Sequence, residues 1–436
     1  MSQSLDLEKI AVSALSGLSK GMRGSQSDLA VSNVAKQGWN ILNEDLPFPL
    51  PVIKLSALEK NRAYMRAFLK QTGAWIAPHG KTSMAPQLFQ MQLDDGAWAI
   101  TVATAHQMAV CREFGVSRIF MANQLVGKQN VDYVINALKD DPNLDFYCLI
   151  DSEAGARLLA NAVKQHGLSR PLNVLIEMGM EGYRTGFRSV SNALELARTI
   201  KLELPELSLR GVEGYEGVFS DCCVKGKEDK AQELFAKMRA LAKRADDEKL
   251  FADGPIILTA GGSDFYDFAA RDLAIDMETL NIQIVIRSGC YLTHDDLFYE
   301  RAQQRLKERS PEFANIDPGL TPAIEVWGCV QSKPEERLAF ASLGKRDISF
   351  DFELPTPTGH MKSGKPDSHC SLSEEYSVLR LNDQHCYVQL PADNDIEVGD
   401  LMSFGVAHVC TTFDKWQYLM LVDDDYNVVG AIRTYF

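Results

Sequence analysis

A chain of 436 residues is too long for one ordinary small domain and suits a barrel with a smaller second domain. With 45 basic against 59 acidic residues, the formal net charge of −14 repels nucleic-acid phosphates and excludes DNA or RNA as expected partners, although a local site can still be positive. No run approaches the roughly 18 apolar residues that span a bilayer, and nine scattered cysteines without a CxxC spacing or a leader-like start point to reduced thiols in the cytoplasm.

Residues 1–49 predict one amphipathic helix and then a proline-rich stretch leading into LPFPLPVIKL, expected to pack on whatever follows. Short apolar, β-branched runs then recur at 74–78 (AWIAP), 98–103 (WAITVA), 118–122 (RIFMA), 146–150 (FYCLI), 172–177 (LNVLIE), 209–215 (LRGVEGY), 255–259 (PIILT) and 282–287 (IQIVIR). Amphipathic stretches such as SVSNALELARTIKL separate them. Eight strand–helix units predict an α/β fold, a (β/α)8 TIM barrel over residues 50–305. The rival is a doubly wound open sheet, which would favour a GxGxxG turn after the first strand. Here that strand runs into PHGKTS. Residues 306–436 begin with a proline-rich connection and continue as strand-like segments with many turns, predicting a C-terminal β domain.

In such a barrel, reactive residues lie where strands end. After the first strand come His79 and Lys81. A lysine before a helix is ordinarily solvated, but in a partly desolvated barrel mouth its amine can attack a carbonyl. After the fifth strand, the glycine-rich loop EMGMEGYRTG presents Tyr183 and Arg184. After the seventh and eighth come Gly261-Gly262-Ser263 and Ser288-Gly289-Cys290-Tyr291, two adjacent turns whose N–H groups and hydroxyls suit a phosphate. Near the end lies AHVCTT. If it is a strand, His408 and Cys410 share a face, and an imidazole with a thiolate suits Zn²⁺ better than a harder ion.

PHGKT, GAWAITVAT, GGS, RSGCY and HVCTTFDKW, in this order, resemble the fold-type III pyridoxal 5′-phosphate (PLP) enzymes of the D-serine dehydratase and D-threonine aldolase group, from about residue 50 onward. The resemblance implies an alanine-racemase-like barrel and a β domain. It implies that Lys81 holds PLP through a Schiff base and that Gly261, Gly262, Ser263, Ser288, Gly289 and Tyr291 surround the phosphate. Tyr183 and Arg184 fall where the group places residues near the pyridine ring, with His79 beside Lys81. His408 and Cys410 match the metal pair of the zinc-using dehydratases, whereas the aldolases tend to carry His-x-Asp and a harder ion.

The reaction so implied is zinc-assisted dehydration and deamination of a D-3-hydroxy amino acid, D-serine or D-threonine in type, to a 2-oxo acid and ammonia. The enzyme would work as a homodimer. Three alternatives stand beside it: an aldolase, a racemase lacking any identified second base, and a PLP-binding regulator without turnover. The chain departs from the group in two places. A strand triplet like EHG reads Glu374-Glu375-Tyr376-Ser377, with His360 and His369 as candidate replacements for the missing histidine. The sixth strand ends in YEGVFSD rather than in a glycine followed by histidine.

Overall fold

The computed structural model describes residues 3–24, 28–219, 223–317 and 319–436. Eight parallel strands run Trp75–Ile76, Ile100–Val102, Arg118–Gln124, Asp145–Ile150, Leu172–Met178, Leu207–Gly214, Ile256–Ala260 and Ile282–Ile286. From the second strand to the eighth, each pairs with the next, and the eighth pairs with the first. The ring closes between the first two strands, where Trp98 N–H reaches Ile76 O at 2.7 Å and Thr101 N–H reaches Pro78 O at 2.9 Å. All eight predicted strands are present, in an alanine-racemase-like barrel.

Its interior is filled rather than hollow. Ala77, Ala99, Phe120, Tyr147, Leu149, Leu175, Ile257 and Val285 form one buried cluster inside it. Helices pack outside, and their starts are fixed locally. Thr104, Ser152 and Ser189 leave their loops in extended conformation and accept N–H groups from Gln107, Gly155 and Asn192, satisfying donors that the first helical turn leaves free.

The C-terminal sheet is mostly antiparallel. Its spine is the strand Ile324–Glu335, which pairs with Leu338–Ala341 and Leu401–Gly405. The same spine also takes up Leu50–Lys54, which runs parallel to Tyr418–Val422 on its other side. Residue 50 therefore begins in this sheet and not in the barrel. Eight strands already close the ring and leave no edge, whereas the open sheet offers a ladder to the apolar run LPVIK.

This sheet is seated on the barrel mouth. Asp296 N–H donates to Val406 O at 3.0 Å, and Val406 N–H returns to the Asp296 carboxylate at 3.2 Å. A Cβ at Gly405 would lie 2.3 Å from Asp296 Cγ, so this seam requires glycine. No helix among the described residues is long and apolar enough to cross a membrane.

Candidate active site

A cavity of about 490 Å³ opens where the strand ends meet the C-terminal sheet. Lys81 borders it, exposed, on a short 3-10 turn directly after the first strand. His79, Arg184, Gly262, Ser263 and Gly289 line it from the barrel side, and His408 and Cys410 from the other. Most of the residues singled out from sequence thus meet at one cavity.

The barrel side is built from close backbone approaches. A Cβ at Gly289 would lie 2.5 Å from His79 O and 2.8 Å from Thr82 Oγ1. One at Gly262 would lie 2.8 Å from the Tyr215 ring. The Ser263 and Ser288 hydroxyls stand 3.1 Å apart across the two turns. His79 Nδ1 is buried without a hydrogen-bond partner. Burial, with Lys81, Arg287 and Arg184 nearby, holds that imidazole well below its usual range, so it is neutral. An orphaned ring nitrogen, two facing hydroxyls, a glycine turn without room for a side chain and an amine open to the same space fit PLP.

Two charged groups that sequence reading left without a role lie below. Arg287 is buried and reaches Glu213 at 2.5 Å, Thr259 Oγ1 at 2.8 Å and Gly214 O at 3.1 Å. Burial pushes the Glu213 carboxyl up to about 8 against the pull of Arg287. The signal was a charged residue in the apolar run LRGVEGY, which marks a functional strand end.

On the opposite wall, His408 Nδ1 lies 2.7 Å from the Asp351 carboxylate, and the ring stacks on Phe352 with centroids 4.1 Å apart. Against burial, hydrogen bonds from Thr411 and His408 keep Asp351 below the usual carboxylate range. An ionised carboxylate only accepts, so Nδ1 presents its N–H to Asp351, and Nε2 is the nitrogen left to face a ligand. Cys410 Sγ lies 3.6 Å from Cys290 Sγ. The Thr82 hydroxyl is 3.7 Å from Cys410 Sγ and 3.8 Å from Cys290 Sγ. The hydrogen bond between the thiols holds Cys290 below its ordinary range and Cys410 above it, so the pair parts with its first proton readily and its second reluctantly. Among the described residues, no three His, Cys, Asp or Glu side chains stand together as a ready-made metal cage.

The structure corrects several expectations. The segment 407–412 is not a strand, because the ladder ends at Gly405 and a one-turn helix begins at Cys410. His408 and Cys410 therefore share a cavity wall through a loop, not through strand alternation. The Gly261 and Gly262 amides are not open to an anion, because they donate to the buried Glu216 carboxylate at 3.1 and 2.6 Å. Ser263 and Gly289 still line the cavity, while Ser288 is buried with its hydroxyl toward Ser263. The Tyr291 side chain is buried away from the cavity beside Gln92 and Asp95, since its short 3-10 turn directs it outward onto the helices. Tyr183 packs edge-on against Phe219 at 4.9 Å under Lys230, so only its neighbour Arg184 reaches the cavity.

Neither candidate replacement histidine lines the cavity. His360 pairs with Asp400 at 2.9 Å, and His369 lies against Trp327 and Tyr426, both within the C-terminal sheet. Tyr376 lies in a turn rather than on a strand. Of YEGVFSD, the last two residues lie outside the described residues. Cys290, Tyr299 and Phe352 line the cavity and went unassigned; Cys290 stands in RSGCY, but only the fold brings it to Cys410.

Residues 53–274, just over half of the chain, match the family model "Alanine racemase, N-terminal domain". Residues 323–422 match "Putative serine dehydratase domain". The chain belongs to the fold-type III PLP family. A 3-hydroxy-D-aspartate aldolase of Paracoccus denitrificans is 22% identical over 345 residues, covering 78% of this chain and 84% of that protein. A D-threonine aldolase from Filomicrobium marinum superposes with a TM-score of 0.71 at 18% identity, over 91% of this chain and 97% of that one. A D-threo-3-hydroxyaspartate dehydratase from Delftia gives 0.67 at 19% identity, over 91% and 99%. These similar members of the family include both aldolases and a dehydratase.

Proposed function

We propose that this chain is a PLP-dependent lyase that dehydrates a D-3-hydroxy amino acid to a 2-oxo acid and ammonia, with zinc at His408 and Cys410. One observation carries the reading: the Lys81 amine and a soft imidazole–thiol pair open onto the same cavity. PLP, held by Lys81 and by Ser263, Ser288 and Gly289, supplies an electron sink for the substrate's Cα; zinc supplies a Lewis acid for the β-oxygen.

The chain's own groups do the rest. Lys81 Nζ takes the Cα proton. The neutral His79 leaves that amine without a further positive neighbour at the same turn. Arg184, lying over the Tyr215 ring at 4.7 Å, offers a guanidinium at the cavity edge for an anionic group. Its loop is held by Arg188, which donates to Thr185 O at 2.8 Å and Gly186 O at 2.9 Å. The β-hydroxyl leaves as water, and the freed enamine tautomerises and takes up one water to give the 2-oxo acid and ammonia.

The second reading is an aldolase, favoured by the names of the similar curated proteins. There the β-hydroxyl proton is removed and the Cα–Cβ bond breaks. Product analysis on D-threonine and D-threo-3-hydroxyaspartate, with and without a chelator, separates the two. A 2-oxo acid and ammonia, lost on chelation and restored by Zn²⁺, supports the dehydratase. Glycine with an aldehyde sinks it in favour of the aldolase.

A further inference from the structure

We infer that Cys290 is a third protein ligand of the metal, making the centre two thiolates and one imidazole rather than the His408–Cys410 pair alone. The inference rests on the metal reading above and goes beyond it. Two zinc–sulfur bonds of about 2.3 Å at the tetrahedral angle place their sulfurs ~3.8 Å apart. Cys290 and Cys410 stand at 3.6 Å, close to that separation and far beyond a disulfide bond.

Both sulfurs lie against the Thr82 hydroxyl, which accepts from the Cys410 thiol and can donate to Cys290, and both side chains border the cavity. His408 leaves the wall two residues before Cys410, its ring oriented by Asp351 with Nε2 available. Because the three are not gathered in advance, the ion itself draws the imidazole to the sulfur pair. Whichever thiol is still protonated gives up its proton to solvent when the ion binds. Two sulfurs and one nitrogen leave a fourth position for water or the substrate's β-oxygen, the arrangement of a catalytic rather than a structural zinc.

The sulfur pair also changes what the site prefers. Two thiolates select zinc over magnesium or manganese more strongly than one does. An aspartate at position 410 would leave Cys290 as the sole sulfur, a mixed site suited to neither class of ion.

Zinc K-edge X-ray absorption on the reduced, PLP-loaded, zinc-loaded protein counts the sulfurs without any substitution. Two sulfur scatterers at about 2.3 Å are expected. Cys290→Ser, checked for fold by circular dichroism, should show one sulfur and lose zinc to a chelator more than ~100-fold more readily, beyond what an outer-shell change produces. One sulfur in the wild-type protein, or wild-type zinc affinity in Cys290→Ser while Cys410→Ser loses the metal, overturns the inference and leaves the metal reading intact. A wild-type protein that retains its visible PLP absorbance yet takes up no zinc overturns both.

Discussion

The two walls of the cavity are made in different ways. On the barrel side, Lys81, Ser263 and Gly289 stand at the ends of paired strands, and their positions follow from main-chain ladders and from glycines with no room for a Cβ. On the other side, His408 and Cys410 lie on a loop between a strand and a one-turn helix. That loop is fixed by side-chain contacts: His408 to Asp351, Thr411 Oγ1 to Asp351 at 2.6 Å, and His408 N–H to Ser349 Oγ at 3.1 Å. A wall built from backbone yields only to changes that disturb packing. A wall built from side-chain hydrogen bonds can be loosened one bond at a time without touching the fold.

The largest expected effect tests the barrel wall's chemistry. Lys81→Ala should lower turnover by at least ~10³-fold, in the range of a lost general base, and abolish the visible absorbance of lysine-bound PLP. Because Lys81 is exposed, the thermal midpoint of the PLP-free protein should barely move. Retained absorbance would refute the assignment of Lys81. Next comes the opposite wall. Asp351→Asn removes the charge that fixes the His408 tautomer and should weaken zinc binding by about 10–100-fold, as outer-shell changes do. Chelator competition measures it, and unchanged affinity would show that this contact does not orient a ligand.

The same division explains what could be read from sequence. The strands were legible because each is a β-branched run whose neighbours along the chain are also its neighbours in space, and turn residues such as Gly289 and Ser263 follow directly from them. The placement of Leu50–Lys54 was not legible, because its partners lie at Ile324–Trp327 and Met420–Val422, far away in the chain. Cys290 was visible in RSGCY, but nothing local says that its sulfur meets Cys410 across the seam between barrel and sheet. Likewise Glu216, which takes up the Gly261 and Gly262 amides, gives no signal in YEGVFSD that it reaches a turn 45 residues later, after the next strand.

A change in a main-chain turn should behave in the opposite way to Asp351→Asn. In Gly289→Ala, the new methyl meets His79 O at 2.5 Å, and that oxygen belongs to a backbone held between neighbouring strands. Relief requires the turn itself to shift, at a cost of about 1–3 kcal/mol. The unfolding free energy from denaturant titration should fall by that amount, with PLP affinity falling in parallel. A stable variant with normal PLP affinity would mean the barrel wall is as adjustable as the loop.

A pH-dependent effect lies beneath that wall, at Glu213. Its carboxyl titrates near 4.5 when unfolded and is pushed up to about 8 by burial in the native state. Between these values the native protein binds a proton that the unfolded chain does not, so its contribution to stability is complete below pH 4.5 and is lost as the pH rises through about 8. Glu213→Gln keeps the neutral shape at every pH and should flatten this part of the stability profile, measured by denaturant unfolding at intervals from pH 5 to 9. Arg287 offers the competing outcome. If its 2.5 Å contact keeps Glu213 ionised throughout, the wild-type profile will already be flat, and Gln will destabilise equally at all pH values by leaving a buried guanidinium unpaired. The first result makes the barrel floor a neutral hydrogen-bonding surface at low pH, and the second makes it a permanent ion pair.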